Sequence, residues 1–231
     1  KGIGTNIKLD QIQSDYDATF IGMGLSGVNS LRCDGENLHN VDDAVSFISD
    51  LRQADSLSNV KVGRDVVVIG GGMTAVDAAV QSKLLGAQNV SLVYRRGKED
   101  MSASVYEQEL ATSKGVRIIY NATPLEVTEN GSSLDVKFGF TESIKSQLKQ
   151  TGETFSLPAN QVLKAIGQNL SNQSDELKII DGKINVNDHG QTNISNIWAG
   201  GDCAIGGDDL TVTAVAQGRD AAVHINSQLM K

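Results

Sequence analysis

The sequence predicts an α/β fold organised around a parallel β-sheet, and three observations indicate this class. Val66–Ile69 is a continuous apolar run, which is typical of a strand covered on both faces. Strand-like and helix-like segments alternate from there to Tyr120. A turn of three glycines, Gly70–Gly72, joins the first of these strands to the first helix. A β-α-β-α-β series of this kind requires parallel strands joined by right-handed crossovers.

The elements of this series are separated by ordinary helix and strand signals. Helical patterns end at glycines that can occupy the position after a helix, and the strands are short apolar runs. In chain order the predicted elements are the strand Val66–Ile69, the helix Thr74–Leu85, the strand Val90–Tyr94, the helix Ser104–Lys114 and the strand Val116–Tyr120.

Before this series the sequence predicts a strand at Asp17–Ile21 and a helix at Val41–Leu51 with Asn40 as its N-cap. After it come turn-linked strands and a last helix. They are a hairpin around Asn130–Gly131 (125–128 and 133–140), a loop or extended hairpin tip at 141–152, a strand at 161–166, a hairpin around Asp181–Gly182 (178–180 and 183–186), a strand at 194–199 and a helix at 211–229 with one apolar side.

Composition excludes several classes of protein. With 231 residues, of which 39% are hydrophobic and 21% charged, the chain can bury a core. Its 20 Lys and Arg against 28 Asp and Glu give a formal net charge of −8, which argues against nucleic-acid or anionic-membrane binding. No apolar run approaches the roughly 20 residues of a membrane span, and no signal segment opens the chain, so a cytoplasmic protein is expected.

The cysteines restrict the chemistry further. The sequence has only Cys33 and Cys203, which cannot supply a four-cysteine zinc site or an iron–sulfur cluster from this chain alone. Neither has a nearby cysteine, so a dithiol mechanism is also excluded. The three histidines form no metal-ligand spacing. We therefore expect no metal site and no essential side-chain acid, base or nucleophile.

Two glycine motifs could bind a dinucleotide, and their contexts differ. Gly22–Gly27 matches G-x-G-x-x-G after a strand, but no helical pattern follows it, so it is interpreted as a glycine-rich strand end. Gly70–Ala75 lies between a strand and a helix. There Gly70 permits the tight turn, Gly72 lets the backbone approach a diphosphate, and the helix start at Met73 and Thr74 offers backbone N–H groups.

The residues after the second strand indicate which coenzyme is bound. An acidic residue there would select NADH through the ribose hydroxyls, whereas this strand ends in Arg95–Arg96. Guanidinium groups suit a 2′-phosphate because they bind two oxygens at once. The sequence therefore favours NADPH over NADH. The alternative is a solvated basic loop beside Glu99 and Asp100.

Several motifs together resemble a flavoprotein family. Their residues and their order along the chain resemble the small, electron-input subunit of bacterial glutamate synthase and the flavoprotein part of dihydropyrimidine dehydrogenase. These proteins have a pyridine nucleotide-disulfide oxidoreductase-like fold. The motifs are Val66–Ala79, Val93–Met101, Leu163–Gln168, Ile197–Ala204 and Leu210–Ala222, with weaker likeness at Tyr16–Gly24 and Asp34–Val41.

The resemblance implies a Rossmann-like fold with two dinucleotide-binding domains, in three layers: helices, a parallel sheet and a β-hairpin layer. It implies that an NAD(P)H domain at 60–172 is inserted into an FAD domain, whose parts are 1–59, including a linker, and 173–231. The family's FAD fingerprint would precede residue 1, so the FAD domain is expected to be incomplete at its N-terminus and FAD retention by this chain is in doubt.

The resemblance also assigns further residues. Gly167 would lie close to the nicotinamide, Gly201 and Asp202 would approach the flavin cofactor, and the helix start at Thr211–Thr213 (Thr211, Val212, Thr213) would face the flavin ring. Independently of the family, Gly201 and Asp202 follow a strand, where ligands sit in open α/β sheets, and Asp202 could accept hydrogen bonds from hydroxyls.

The activity implied is hydride transfer from NAD(P)H to FAD, with electrons passed on to the iron–sulfur clusters of a catalytic partner subunit. Glutamate synthesis and pyrimidine reduction remain equally open as the final reaction. Two other interpretations remain: a truncated NAD(P)-binding module without turnover, and a reductase for a soluble electron carrier. A homo-oligomer is possible.

Overall fold

The computed structural model describes residues 7–144, 147–171 and 174–230. The helices are α1 (Leu9–Asp15), α2 (Ala44–Gln53), α3 (Met73–Leu84), α4 (Val105–Ser113) and α5 (Thr211–Leu229). The strands are β1 (Thr19–Ile21), β2 (Gly27–Val28), β3 (Val41–Asp43), β4 (Asp65–Gly70), β5 (Asn89–Val93), β6 (Val116–Ile119), β7 (Ala122–Asn130), β8 (Ser133–Ile144), β9 (Gln147–Ala159), β10 (Gln161–Ala165), β11 (Gln168–Asn169), β12 (Ile179–Ile180), β13 (Lys183–Ile184) and β14 (Ile197–Ala199). Short 3₁₀ turns lie at Leu57–Asn59, Lys98–Asp100 and Gly201–Cys203.

The chain forms two compact units, one inserted into the other. The inserted unit is Val28–Gly167, and the outer unit combines Lys1–Gly27 with Gln168–Lys231. The sequence boundary at 59/60 differs from this division, since β3 pairs with β10 and α2 buries Phe47 in the same core. The other expected boundary, between residues 172 and 173, lies outside the described residues.

The inserted unit contains the predicted parallel sheet. Its strand order is β3-β10-β4-β5-β6, and every neighbouring pair is parallel. Residues 66–69 of β4 are at most 3% exposed, which confirms a strand covered on both faces. From β4 the chain continues to β5 and β6 on one side, while β10 and β3 lie on the other. The strand order therefore reverses beside β4, and ligands of open α/β sheets bind at such a reversal.

Helices cover one face of this sheet and an antiparallel sheet covers the other. Ala75, Ala78 and Ala79 of α3 are all 0% exposed, so the helix backbone packs closely on the strands. On the opposite face β7, β8 and β9 form an antiparallel sheet whose Phe138 joins Val67 in one apolar cluster. The three layers agree with the sequence prediction. The predicted hairpin turn is present one residue later than expected, at 131–132, because Asn130 still pairs with Ser133.

The segment at 141–152 is the extended hairpin rather than a loop. β8 and β9 pair as far as Ile144 and Gln147, while residues 145 and 146 of the tip lie outside the described part of the chain. The alternation of polar and apolar residues in this segment is weak, because most of its side chains are exposed.

The predicted start of the second helix is wrong. Asn40 does not cap it; α2 begins at Ala44, and Asp43 occupies the N-cap position. Residues 41–43 are instead drawn into β3 because Val162 of β10 pairs with Val41. Asn40 turns the chain into this strand with a φ of 66°. No helix lies between residue 22 and residue 43, as the interpretation of the first glycine motif expected, whereas α1 was not predicted.

The outer unit has a smaller parallel pair and a long helix. β1 and β14 pair in parallel, and β12 and β13 form the predicted hairpin through Asp181 and Gly182, both with positive φ. The predicted apolar side of α5 is not buried by the described chain: Val212, Val215 and Val223 are 72%, 68% and 66% exposed. No helix within the described ranges has the length and apolar character needed to cross a membrane.

The helix α4 begins with a capping box. Ser104 accepts a hydrogen bond from the backbone N–H of Glu107, and the Glu107 carboxylate accepts one from the N–H of Ser104 at 2.7 Å. This reciprocal pair satisfies two backbone donors that the helix itself leaves unpaired. It also gives Glu107 a structural role at the helix start.

We expect Ser104→Ala to lower the free energy of unfolding by about 1 kcal/mol, since alanine cannot accept the N–H of Glu107. Chemical denaturation monitored by circular dichroism measures this change. The control is Ser113→Ala at the other end of α4, where the hydroxyl only donates to the carbonyl of Leu110. An equal loss in the two variants would contradict a specific capping role.

Candidate functional site

Two of the three consecutive glycines are required by packing. Gly70 has a φ of 154°, and a Cβ there would lie 2.2 Å from the carbonyl oxygen of Ala165. A Cβ on Gly71 would lie 2.3 Å from Cδ2 of Tyr94, whose ring covers this glycine. Neither position tolerates a side chain without rearrangement of the core. They set the close approach of β4 to β10 and of the turn to the end of β5.

Gly72 has a different environment. Its backbone is extended, with φ −93° and ψ 179°, a conformation open to any residue, and it is the N-cap of α3. A Cβ there would meet only Oγ of Ser102, at 3.4 Å. Packing within the chain therefore does not demand a glycine here. The absence of a side chain instead keeps the start of α3 open.

The start of α3 is suited to an anion. No side chain caps it, and the first N–H groups of a helix, here those of Met73 and Thr74, have no partner within the helix. The helix dipole places partial positive charge at this end. Met73 is 53% exposed and does not close the turn. A diphosphate is the group that such helix starts bind in dinucleotide-binding folds.

Arg95 and Arg96 follow β5, the strand next to β4. Both side chains are exposed, and within residues 7–144, 147–171 and 174–230 neither guanidinium has a carboxylate partner. Their backbone is held firmly: Oγ1 of Thr141 donates to the Arg95 carbonyl at 2.7 Å, and the N–H of Asn121 donates to that of Arg96 at 3.0 Å. We call residues 95–96 the arginine turn.

Gly167 lies at the same edge of the sheet. It follows β10, in which Ala165 is in register with Gly70, and has a φ of 94°. Its carbonyl accepts the N–H of Asn29 at 3.1 Å. The structure therefore brings Gly70–Gly72, the arginine turn and Gly167 to the carboxyl ends of three neighbouring strands.

The other predicted residues belong to the outer unit. Gly201 and Asp202 form a 3₁₀ turn after β14, and Gly201 has a φ of 71°. The side-chain amide of Gln217 ties this turn to the next loop: Oε1 accepts the N–H of Gly201 at 2.7 Å and Nε2 donates to the Gly206 carbonyl at 2.6 Å. The N–H of Gly201 is thus already hydrogen-bonded. What this glycine offers a ligand is the space left by its missing side chain.

Asp202 and the start of α5 remain available for contacts. The half-buried Asp202 carboxylate has no hydrogen bond or ion pair with the described residues, and no side chain caps α5. Thr211 and Val212 are exposed, while the Thr213 methyl lies against Gly207, where a Cβ would be 2.6 Å away. The roles given to these outer-unit residues stay predictions.

Comparison with known proteins decides the family. A family model described as "Pyridine nucleotide-disulphide oxidoreductase" matches residues 5–218. The chain belongs to this family. It is 34% identical to the glutamate synthase [NADPH] small chain of Escherichia coli over 95% of this chain and 52% of the relative. It is 33% identical to the NADP(+)-dependent formate dehydrogenase subunit beta of Moorella thermoacetica over 98% of this chain and 34% of the relative.

A third relative is the NAD-dependent dihydropyrimidine dehydrogenase subunit of Salmonella typhimurium, at 31% identity over 98% of this chain and 51% of the relative. The chain thus spans between about a third and a half of these relatives. Mycobacterium tuberculosis FprA in complex with NADPH has the same fold, with a TM-score of 0.75, 21% identity, and coverage of 98% of this chain and 66% of that one.

Lactococcus lactis thioredoxin reductase shares the fold as well, with a TM-score of 0.72, 24% identity, and coverage of 91% of this chain and 65% of that one. The family resemblance and the fold class predicted from the sequence are therefore confirmed. The prediction of a fold with two dinucleotide-binding domains rested on several motifs in a fixed order along the chain, because a single glycine loop occurs in many folds.

In this member of the family the cysteines do not form a reactive pair. Cys203 is fully buried, and both thiols are free. Burial raises the pKa of the Cys33 thiol, and the neighbouring Glu36 and Asp34 carboxylates add to the rise, which keeps the thiol protonated and unreactive. Among the described residues no group of three or more His, Cys, Asp or Glu side chains could hold a metal ion.

Sequence reasoning missed the residues that support the site. Tyr94 covers Gly71, Ser102 contacts the same turn, and Thr141 holds the arginine turn from a different layer. Gln217 has the corresponding role in the outer unit. For Tyr94 a signal existed, because it directly precedes the arginines. Thr141 gives no such signal, because its partner lies 46 positions away.

Proposed function

We propose that this chain is part of an NAD(P)H-oxidising, FAD-dependent oxidoreductase that delivers electrons to a partner. The observation that carries the proposal is one sheet edge that holds the open start of α3, Gly167 and two guanidinium groups without a carboxylate partner among the described residues. Family membership supports it, because the relatives are named as NADPH-, NADP(+)- or NAD-dependent oxidoreductase subunits.

In this proposal the inserted unit binds the nicotinamide coenzyme. The backbone N–H groups at Gly72, Met73 and Thr74 hold the diphosphate, and the missing side chain of Gly72 admits it. Gly167, at the end of the neighbouring strand, leaves room for the nicotinamide. The protein contributes binding and orientation, while the reaction itself belongs to the coenzymes.

We propose NADPH as the preferred coenzyme because of the arginine turn. Arg95 and Arg96 have no carboxylate to neutralise them in the described part of the chain, so both remain available for a 2′-phosphate. The names of the relatives include both NADPH and NAD, so family membership alone does not decide between them.

The outer unit would supply part of an FAD site. The Asp202 carboxylate, which has no partner among the described residues, fits hydroxyl groups of a flavin cofactor. The uncapped start of α5 at Thr211–Thr213 fits a group that gains negative charge on reduction. A bound flavin would accept the hydride of the reduced nicotinamide and release its electrons singly. The residues' task is to orient the cofactor and stabilise that charge.

We further propose that the electrons pass to the iron–sulfur clusters of a catalytic partner subunit. The relatives named as a small chain, a subunit beta and a dehydrogenase subunit support a multi-subunit arrangement. The 231 residues of this sequence include only two cysteines, so they cannot hold such a cluster by themselves.

Calorimetry and spectroscopy on the purified chain test the proposal. NADPH should bind with one site per chain, and NADH should bind more weakly. After addition of FAD and removal of free flavin, a retained visible flavin band that NADPH bleaches without oxygen would support the oxidoreductase. Coenzyme binding without flavin retention would favour the binding module, and absence of heat with either coenzyme would overturn the proposal.

A further inference from the structure

The contacts behind the arginine turn support a more specific role, which rests on the proposed function. Tyr94 connects the arginine turn with the glycine turn, Gly70–Gly72. Its ring covers Gly71, and its Oη donates to the carbonyl of Asp100 at 2.7 Å. The loop that follows the turn returns to the glycines, since the N–H of Ala103 donates to the Gly71 carbonyl at 3.0 Å. The glycine turn (Gly70–Gly72) and the loop after the arginine turn are therefore in direct contact, through Tyr94 and through Ala103.

Thr141 holds the turn from the hairpin sheet. It is one of three buried polar side chains in the described ranges, 5% exposed, and its Oγ1 donates to the Arg95 carbonyl. Its own N–H donates to the carbonyl of Asn121 at 2.8 Å, and the N–H of Asn121 donates to the Arg96 carbonyl. Both arginine carbonyls are thus fixed by β8 and the segment before β7, while the two exposed guanidinium groups have no ion pair with any residue that the structure describes.

We infer that Tyr94 and Thr141 are positioning residues that set the preference for a 2′-phosphorylated coenzyme. An exposed arginine loses side-chain entropy when it binds a phosphate, and a fixed backbone limits how much further order binding requires. The Thr141 hydroxyl supplies that fixation at the Arg95 carbonyl, and the Tyr94 hydroxyl fixes the loop after the arginine turn at the Asp100 carbonyl. The two hydroxyls affect the binding of the 2′-phosphate selectively, because the diphosphate is bound by the glycine turn. The Tyr94 ring supports that turn, and its hydroxyl is not needed for this contact.

Two substitutions of nearly unchanged volume test this inference: Tyr94→Phe, which keeps the ring on Gly71, and Thr141→Val, which replaces the hydroxyl with a methyl group. Each should raise the NADPH dissociation constant about three- to tenfold, the effect of one lost hydrogen bond, and change that of NADH by less than about twofold. Thr141→Ser, which keeps the hydroxyl, should bind NADPH like the unmodified chain.

Tyr120→Phe is the matched control. Tyr120 follows β6 as Tyr94 follows β5, but its hydroxyl donates to Oε1 of Gln108 at 3.0 Å, away from the arginine turn, so the ratio of NADPH to NADH affinity should not change. Thermal unfolding identifies any variant that fails to fold. If Thr141→Val unfolds, the comparison of Tyr94→Phe with Tyr120→Phe decides.

The possible failures are distinguishable. Equal weakening of NADPH and NADH by Tyr94→Phe, or no effect on either, would overturn the inference while the proposed function stands. If the unmodified chain binds neither coenzyme, the proposed function and the inference fail together. Selective loss of NADPH affinity supports both.

Discussion

Gly72→Val should strongly weaken the binding of both NADPH and NADH while the chain remains folded. The backbone at Gly72 is extended and a Cβ meets only Ser102 Oγ, so the fold tolerates a side chain. The valine methyl groups would occupy the space through which a diphosphate reaches the start of α3. We expect affinity to fall at least about a hundredfold, or about 3 kcal/mol, for each coenzyme in calorimetric titration.

Other glycines provide the controls for this experiment. At Gly218, in α5, a Cβ would meet no atom within 4 Å beyond its own stretch of helix, so Gly218→Ala should leave coenzyme binding unchanged. Gly71→Ala should lower the thermal stability of the chain, since its Cβ would collide with the Tyr94 ring. Normal coenzyme binding by a folded Gly72→Val variant would show that the diphosphate binds elsewhere.

The double substitution Arg95→Gln with Arg96→Gln should convert the chain from an NADPH binder to one that hardly distinguishes the coenzymes. A charge-assisted hydrogen bond contributes about 1.5–3 kcal/mol, and solvent at this exposed turn reduces the sum. We therefore expect NADPH affinity to fall on the order of a hundredfold at low salt, with NADH affinity unchanged. The NADPH loss should be smaller at high salt, where the unmodified chain also binds less tightly.

The control for net charge is the double substitution Lys114→Gln with Arg117→Gln. Both side chains are exposed and belong to the inserted unit, and this pair removes the same two positive charges away from the turn. It should leave the coenzyme preference unchanged. If the two double variants weaken NADPH binding equally, the arginine turn acts only through the overall charge of the chain and does not bind a 2′-phosphate.

The parallel sheet was predictable because its central strands carry their own signal. Val66–Ile69 is apolar throughout and is covered on both sides, so local sequence and tertiary environment agree. β3 gave no such signal: of its three residues only Val41 is buried, and the strand exists because β10 lies beside it. A strand that depends on a partner 121 positions later in the chain, as Val41 depends on Val162, cannot be predicted from its local sequence.

At the candidate site, too, the local motifs could be predicted from the sequence and the contacts between distant residues could not. The glycine turn and the arginine turn are local motifs next to strand ends, so the sequence predicts them and the sheet topology brings them to one edge. The support behind them is non-local: Thr141 belongs to a long hairpin with weak alternation. For α5 the sequence predicts an amphipathic helix, but periodicity alone does not indicate what covers its apolar side, and Val212 and Val215 stay exposed in the described chain.

Titration of the chain with NADPH, followed by amide-resolved NMR, tests the central claim most directly. The largest and earliest shifts should appear at the backbone N–H groups of Gly71–Thr74, with further shifts at Arg95 and Arg96 that NADH does not reproduce. Saturating shifts confined to other parts of the chain, with the amides of Gly71–Thr74 unmoved, would contradict the assignment of this helix start as the coenzyme diphosphate site.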